Sequence, residues 1–298
     1  MVLGRSIARR TFQRSRAVAR LLTVLVGFEL LSLLAAAAAA QPIAVISPDR
    51  SSQSISFAEQ LKQSLPKPLE PIDADMAWAA FSSTLPATPY NMPEEEARLV
   101  GLRMGCDYFV LVRSEVVRRS SFERAEYYEA YSALYVVSRR TGRLVDWRLL
   151  SFEASKSEAA RKLLQDAIPE TAAKIAVLVP AVLKTELNQP QAPDLPEPTD
   201  NKDKDPSLRS PLPYRRLKPE YTAQASLYGV TATVEITVDL DAAGTITRTE
   251  ITRWAGYGLD EAVDKAVRTM NWRPADRNGK PLAMRFTLQY NFKKLEKT

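Results

Sequence analysis

Histidine is absent from the 298-residue chain, and only one cysteine, Cys106, is present. The lack of histidine excludes Ser–His–Asp triads, histidine general bases and histidine metal sites. A single cysteine allows no intrachain disulfide and no cysteine cluster for zinc or iron–sulfur binding. Glycine-rich phosphate loops, nucleophile elbows and paired-carboxylate signatures are also missing. The sequence therefore predicts a protein that is not an enzyme, with no catalytic residue, no cofactor and no metal site.

Glu29 is the only ionisable side chain within the apolar residues 21–40. A helix of this length spans about 30 Å, which is the thickness of the hydrocarbon core of a bilayer. Because a charge inside a membrane helix is costly, such an acid is a functional candidate. Glu29 is therefore a candidate for coupling a membrane anchor to other membrane proteins. The alternative is a signal peptide that tolerates the acid and is removed by cleavage.

The excess positive charge of the chain is concentrated at its amino terminus. Lysine and arginine outnumber aspartate and glutamate by 41 to 35, and six of the arginines lie within residues 1–20. A basic segment before an apolar one keeps the amino terminus in the cytoplasm and directs the rest for export. We expect the exported part in the periplasm of a Gram-negative-type envelope, either anchored in the inner membrane through residues 21–40 or released after cleavage. Nucleic acid is not an expected partner of an exported protein.

Composition divides the chain into four parts. Residues 1–40 are the basic tip with the signal peptide or membrane anchor. Residues 41–187 mix strand and helix patterns, which predicts an α/β periplasmic domain. Residues 188–212 are rich in proline and alternate in charge, as is typical of a linker. Residues 213–298 are predicted to form a small terminal domain.

The terminal domain has the clearest periodicity. Residues 230–239 alternate between apolar and polar side chains, and residues 245–253 form the predicted return strand. Residues 259–270 place apolar side chains at helical spacing. Residues 282–292 alternate again, which predicts a last strand. This order predicts an antiparallel sheet packed on one helix, so the fold of the whole chain is expected to be of the α+β class.

Short pieces of this domain resemble, in order and on the expected elements, the carboxy-terminal domain of the TonB family. The pieces are residues 218–221 (KPEY), 228–230 (YGV), 244–246 (GTI), 258–263 (GLDEAV), 271–275 (NWRPA) and 279–281 (GKP), with a last strand that ends at Phe292. The wider layout is also similar to that of the family, with a basic tip, an apolar segment, a proline-rich linker and a small terminal module.

The resemblance implies an energy transducer that connects an inner-membrane proton-driven motor complex to an outer-membrane transporter or other envelope protein. It also implies that the terminal domain captures an extended peptide by β-strand addition. A strand at a sheet edge suits this role because its outer backbone groups are unpaired. The residues that the resemblance assigns to partner binding are Lys218, Glu220, Tyr221, Met284, Arg285, Phe286, Thr287, Leu288 and Gln289.

Two departures from the family pattern leave an alternative open. The Tyr-Pro motif of the family is Tyr221-Thr222 in this chain. The family also carries a serine and a histidine on one face of its membrane helix, and this chain has no histidine. The alternative is a periplasmic adaptor that joins two envelope partners without transmitting energy.

Residues 42–187 resemble the α/β modules of curli-assembly lipoproteins and the amino-terminal domain of TolB. The matching features are a strand at residues 42–47, the helix that follows, residues 102–111 (LRMGCDYFVL), and a hairpin with Thr141-Gly142 in its turn. Modules of this kind bind partners, so the resemblance implies a second binding domain rather than a catalytic one.

Overall fold

The first domain is built on a mixed five-stranded sheet. The computed structural model describes residues 40–190, 192–197 and 207–294. The strands of this sheet are β1 (Gln41–Ile46), β2 (Leu69–Pro71), β3 (Tyr108–Arg119), β4 (Tyr127–Ser138) and β5 (Leu144–Ala154). Their order is β2-β1-β3-β4-β5, in which β2 and β3 run parallel to β1 and the last three strands are antiparallel.

Helices cover both faces of this sheet. They are α1 (Ser52–Ser64), α2 (Ala74–Thr84), α3 (Glu94–Met104), α4 (Ser157–Asp166) and α5 (Ile168–Asn188). Apolar side chains of α1, α4 and α5 pack on one face, and those of α2 and α3 pack on the other. Tyr108 and Phe109 are neighbours in β3 and are both buried. Because successive side chains of a strand point to opposite faces, this apolar run reflects a strand that is covered on both sides.

The hairpin predicted in this domain is present as β4 and β5. Gly142 lies in its turn with a φ of 77°. A Cβ atom at this position would lie 2.0 Å from the carbonyl oxygen of Glu94, at the start of α3. Glycine therefore allows both the backbone conformation and the close contact between the hairpin and α3.

The terminal domain contains a three-stranded antiparallel sheet and one main helix. Its elements are β6 (Leu208–Arg209), β7 (Leu212–Pro213), α6 (Ala223–Leu227), β8 (Ala232–Leu240), β9 (Ile246–Arg253), α7 (Leu259–Arg268), β10 (Trp272–Arg273), β11 (Ala275–Arg277), β12 (Lys280–Leu282) and β13 (Met284–Phe292). The main sheet has the order β13-β8-β9. The apolar stripe of α7, which contains Leu259, Val263 and Val267, is buried against it. The predicted antiparallel sheet on one helix is confirmed, and so is the α+β class.

Residues 1–39 lie outside the described part of the chain. They hold the predicted basic tip, Glu29 and nearly all of the predicted signal peptide or anchor. Among the residues that are described, no helix is both long and apolar enough to cross a membrane. Two short strands, β6 and β7, lie at the end of the predicted linker region and pair with β11 and β10.

A buried polar contact at Asn91 joins the two domains. The Asn91 side chain accepts a hydrogen bond from the Thr233 nitrogen at 2.8 Å and donates to the carbonyl oxygens of Thr233 and Trp254, each at 2.7 Å. The pairing of β8 with β9 begins only at Glu235, two residues after Thr233 along β8. The Asn91 amide therefore takes the place of a neighbouring strand, and the first domain completes the hydrogen bonding of the terminal sheet.

Aromatic side chains fill much of the remaining interface. The ring pairs, with their centroid distances, are Tyr135–Trp254 at 5.7 Å, Trp147–Tyr257 at 4.6 Å and Tyr131–Tyr228 at 4.7 Å. Trp254 is only 1% exposed, and its indole nitrogen donates to the carbonyl oxygen of Gly142 at 3.1 Å. The described residues from Gln41 onward accordingly belong to one compact unit.

Asp260, in the first turn of α7, makes the stability of this unit depend on pH. Its carboxylate accepts hydrogen bonds from the backbone nitrogens of Ala255 and Gly256, both at 2.9 Å. Burial nevertheless raises the pKa of Asp260 to about 7. Because the folded state binds this proton more tightly than the unfolded state does, the carboxyl lowers the free energy of unfolding as pH rises from about 4 to about 7.

We expect Asp260→Asn to remove this contribution to the pH dependence. The measurement is urea unfolding at intervals between about pH 4 and pH 7. Asp166→Asn, which changes an exposed aspartate of α4, is the control for the loss of one surface carboxylate. A profile that is the same in Asp260→Asn and in the wild type would contradict the expectation.

Candidate partner-binding strand edge

β13 lies at one edge of the terminal sheet. Its register with β8 is continuous, from Met284 opposite Leu240 to Phe292 opposite Ala232. β9 lies on the other side of β8. Within the described residues, no strand pairs with the second edge of β13. This edge is the surface that an extended partner would use for strand addition.

Four residues of β13 direct their backbone groups to the open edge. The Arg285 N–H donates to the carbonyl oxygen of Pro196, which is not part of the sheet, at 2.9 Å. Because the N–H and C=O of a residue point to the same side and successive residues alternate, every second residue points outward. Thr233 of β8 lies opposite Asn291, but its N–H and C=O bond to Asn91 on the other side of β8. The backbone groups of Asn291 therefore also point away from β8. The outward residues are Arg285, Thr287, Gln289 and Asn291.

The direction of the backbone groups divides the predicted partner-binding residues of β13 into an outward set and an inward set. The outward members of the predicted set are Arg285, Thr287 and Gln289. The inward members are Met284, Phe286 and Leu288, which bond toward β8 and turn buried or half-buried side chains to the core. The Phe286 ring, for example, lies against that of Trp272 with centroids 6.1 Å apart. A partner strand would therefore pair with the first group, and the second group supports β13 from the core.

Arg285 is held rigidly by a buried carboxylate. Its Nε and Nη2 atoms donate to Oδ1 and Oδ2 of Asp239 at 2.7 and 2.9 Å. Asp239 lies directly opposite in β8 and is 1% exposed. Hydrogen bonding to this carboxylate raises the pKa of Arg285, so its charge is permanent. The side chain thus forms a fixed cationic end to the open edge.

Tyr221 and the end of β13 enclose a mainly apolar cavity. The cavity has a volume of about 260 Å³ and is lined by Lys218, Pro219, Tyr221, Tyr290, Asn291, Phe292 and Lys293. The Tyr221 hydroxyl lies 3.1 and 2.8 Å from the carbonyl oxygens of Ala225 and Val230, which share its single proton. Its ring stacks on Phe292 with centroids 6.3 Å apart. The structure thus brings Lys218 and Tyr221 to the strand. Glu220 is exposed and is not among the lining residues.

Arg216 and Asn291 were missed by the sequence reasoning. The Arg216 guanidinium lies 4.8 Å from the centroid of the Tyr290 ring and donates to the carbonyl oxygen of Gln289. Asn291 is the fourth outward residue. A signal for Arg216 exists in the basic pair that precedes the 218–221 piece, but a basic pair alone does not identify its neighbour in space.

Cys106 is buried in the first domain, far in sequence from this edge. Burial raises the pKa of its thiol to about 12, so the thiol is protonated and unreactive at neutral pH. In the described ranges, no group of three or more histidine, cysteine, aspartate or glutamate side chains is arranged to hold a metal ion. Glu29 lies outside these ranges.

The family model described as Gram-negative bacterial TonB protein C-terminal matches residues 218–294. The match includes β13 and all of the cavity-lining residues. Among solved structures, the chain is similar to the TonB C-terminal domain of Pseudomonas aeruginosa. That similarity has 23% identity, a TM-score of 0.25, and covers 32% of this chain and 92% of the other.

Two further solved structures show similarity at lower identity. A hypothetical protein from Chlamydia trachomatis is 15% identical with a TM-score of 0.34, over 48% of this chain and 99% of the other. A lipoprotein from Neisseria meningitidis is 13% identical with a TM-score of 0.28, over 45% of this chain and 96% of the other. No curated protein sequence matches the chain significantly.

Proposed function

Because the chain carries a TonB C-terminal domain at residues 218–294, we propose that it is a TonB-like envelope protein that binds an outer-membrane partner by β-strand addition. The observation that carries the proposal is the row of outward backbone groups on the edge strand β13. An extended segment of the partner would pair with these groups and extend the antiparallel sheet by one strand. Binding of this kind would support transmembrane transport by the partner.

The length and charge of the edge indicate what kind of partner segment would fit it. The outward groups run from Arg285 to Asn291, a distance of about 20 Å at roughly 3.4 Å per residue. A partner segment of about seven residues would cover this distance. The cavity beside Tyr221 would accept one apolar side chain. Lys218 and Lys293 at the cavity, together with Arg216, would favour an acidic residue near it.

Site-specific cross-linking in native cells tests this proposal. A photoreactive amino acid replaces Gln289, whose side chain is exposed beside the outward backbone groups. The control places the same amino acid at Val177, which is 76% exposed on α5 of the first domain. We expect an outer-membrane protein to be cross-linked from position 289 and not from position 177. The absence of such an adduct, or equal adducts from both positions, would contradict strand addition at β13.

A more specific form of the proposal is that the chain transmits energy to its outer-membrane partner. In this version the uncleaved residues 21–40 anchor the chain in the inner membrane, and Glu29 couples the anchor to a proton-driven motor complex. The alternative is an adaptor that holds one envelope partner at β13 and another on the first domain. The contacts of Asn91 and Trp254 favour the adaptor, because they fix the terminal domain on the first domain instead of leaving it on a free tether.

Amino-terminal sequencing of the mature protein separates these versions. A start at Met1 or Val2 would agree with an anchored transducer. A start near Gln41 would rule out coupling through Glu29 and would leave the adaptor.

A further inference from the structure

A short proline-containing segment of this chain already contacts the open edge of β13. The segment comprises residues 192–197, which precede the terminal domain. The Pro196 carbonyl oxygen accepts the outward N–H of Arg285 at 2.9 Å, and the Pro193 carbonyl oxygen accepts from Arg285 Nη2 at 3.2 Å. Glu197 Oε1 lies 3.7 Å from Arg285 Nη1. One residue of the edge thus binds three residues of the segment.

We propose that residues 192–197 act as an internal cover of the partner-binding edge, which an incoming strand must displace. This inference rests on the proposed function, because the Arg285 N–H bound by Pro196 is one that a partner strand would also use. In the described part of the chain, the outward N–H groups of Thr287, Gln289 and Asn291 have no such backbone partner. A partner would therefore pair first near Asn291, replace Arg216 at the carbonyl oxygen of Gln289, and displace the segment when it reaches Arg285.

The chemistry of the segment makes it a cover and not a permanent strand. Pro193 and Pro196 have no N–H, so they cannot donate to the backbone carbonyl groups of β13. The segment therefore cannot continue a hydrogen-bond ladder along the edge, whereas a partner without proline at those positions could. Pairing along the full edge gives the partner more hydrogen bonds than the segment makes.

Asp239 keeps the displacement from leaving an unpaired charge. Arg285 retains its two hydrogen bonds to Asp239 when the segment leaves. Glu197 is an exposed partner, with 60% of its side chain accessible, and returns to water. The cover thus depends on weak exposed contacts, and its removal leaves the cationic end of the edge intact.

Hydrogen exchange in the full-length chain tests the cover itself. One variant replaces residues 192–197 by six alternating glycines and serines, and a matched control makes the same replacement at residues 201–206. Exchange is read for each residue by mass spectrometry with electron-transfer fragmentation. We expect the Arg285 amide to exchange about three- to tenfold faster in the first variant only, as the loss of one hydrogen bond predicts, and Thr287 to be unchanged. Equal exchange of Arg285 in all three proteins would overturn the proposal.

Cross-linking from position 289 to the outer-membrane protein tests whether the cover regulates binding. At limiting partner, we expect the yield to rise about threefold in the 192–197 variant and to stay unchanged in the 201–206 control. An equal yield despite faster Arg285 exchange would overturn the regulatory role. If no protein is cross-linked in any background, the proposed function fails, and the exchange of Arg285 alone decides whether the segment covers the edge.

Discussion

Replacing Thr287 by proline should strongly weaken capture of the outer-membrane partner while leaving the protein folded. Thr287 lies in the middle of the outward row on β13, and its amide bonds neither to β8 nor to another described residue. Proline removes this donor and puts its ring where the partner backbone would lie. The loss of one hydrogen bond and the unpaired partner carbonyl should weaken binding by at least about tenfold. The measurement is the yield of the cross-link from position 289.

Two other variants make this result specific. Thr287→Val keeps the amide and the branched side chain, so capture should stay within about twofold of the wild type. Leu288→Pro removes a bond toward β8 at a residue that is 5% exposed, so it should destabilise the domain itself. Full capture by a folded Thr287→Pro protein would show that a partner does not pair with this edge.

Replacing Trp254 by alanine should destabilise the protein by about 3–5 kcal/mol, which is the usual cost of deleting a buried large aromatic side chain. Trp254 lies between the domains, where it contacts Tyr135 and donates to Gly142. Its removal leaves a cavity at the interface and an unpaired carbonyl group. Because Trp254 is the largest fully buried side chain among the described residues, we expect its loss to weaken the interface so that the domains unfold separately.

Differential scanning calorimetry measures this uncoupling. The wild-type protein should give one unfolding transition, and Trp254→Ala should give two. Trp78→Ala is the matched control, because Trp78 is a half-buried tryptophan of α2 that contacts Phe81 within the first domain. It should lower the transition temperature without splitting the transition. A single transition in Trp254→Ala, lowered by no more than in the control, would contradict the role of Trp254 at the interface.

The main elements of the terminal domain could be predicted because their patterns are local. Alternation over residues 282–292 predicted β13, and the spacing of Leu259, Val263 and Val267 predicted α7. The outward parity of β13 could not be predicted in this way. Side-chain alternation tells which face of the sheet a residue occupies, but the direction of its N–H depends on the register with β8 and on the partner at the other edge.

The interface between the domains is a second feature that the sequence did not reveal. Asn91 and Trp254 are 163 residues apart, and neither belongs to a periodic pattern. Asn91 acts as a substitute strand only because β9 stops before it reaches Thr233. Such a contact depends on how two finished sheets meet, so no local signal encodes it.

The composition of the predicted linker likewise did not reveal the contacts that this region makes. Proline and charge in residues 188–212 indicate a segment that builds no core of its own. They do not indicate which backbone carbonyls find a donor. Pro196 accepts from Arg285, and β6 and β7 pair with later strands, because any residue can supply a carbonyl oxygen.

Residue-resolved hydrogen exchange tests strand addition at β13 most directly. Exchange of the wild-type chain is compared with and without the outer-membrane protein that the cross-link identifies. We expect the partner to slow exchange of the Thr287, Gln289 and Asn291 amides. Arg285, which is already bonded to Pro196, should change less. The inward amides of Phe286, Leu288 and Tyr290 should not change, because they already bond to β8. Slower exchange of the inward amides alone, or of no amide in β13, would contradict strand addition at this edge.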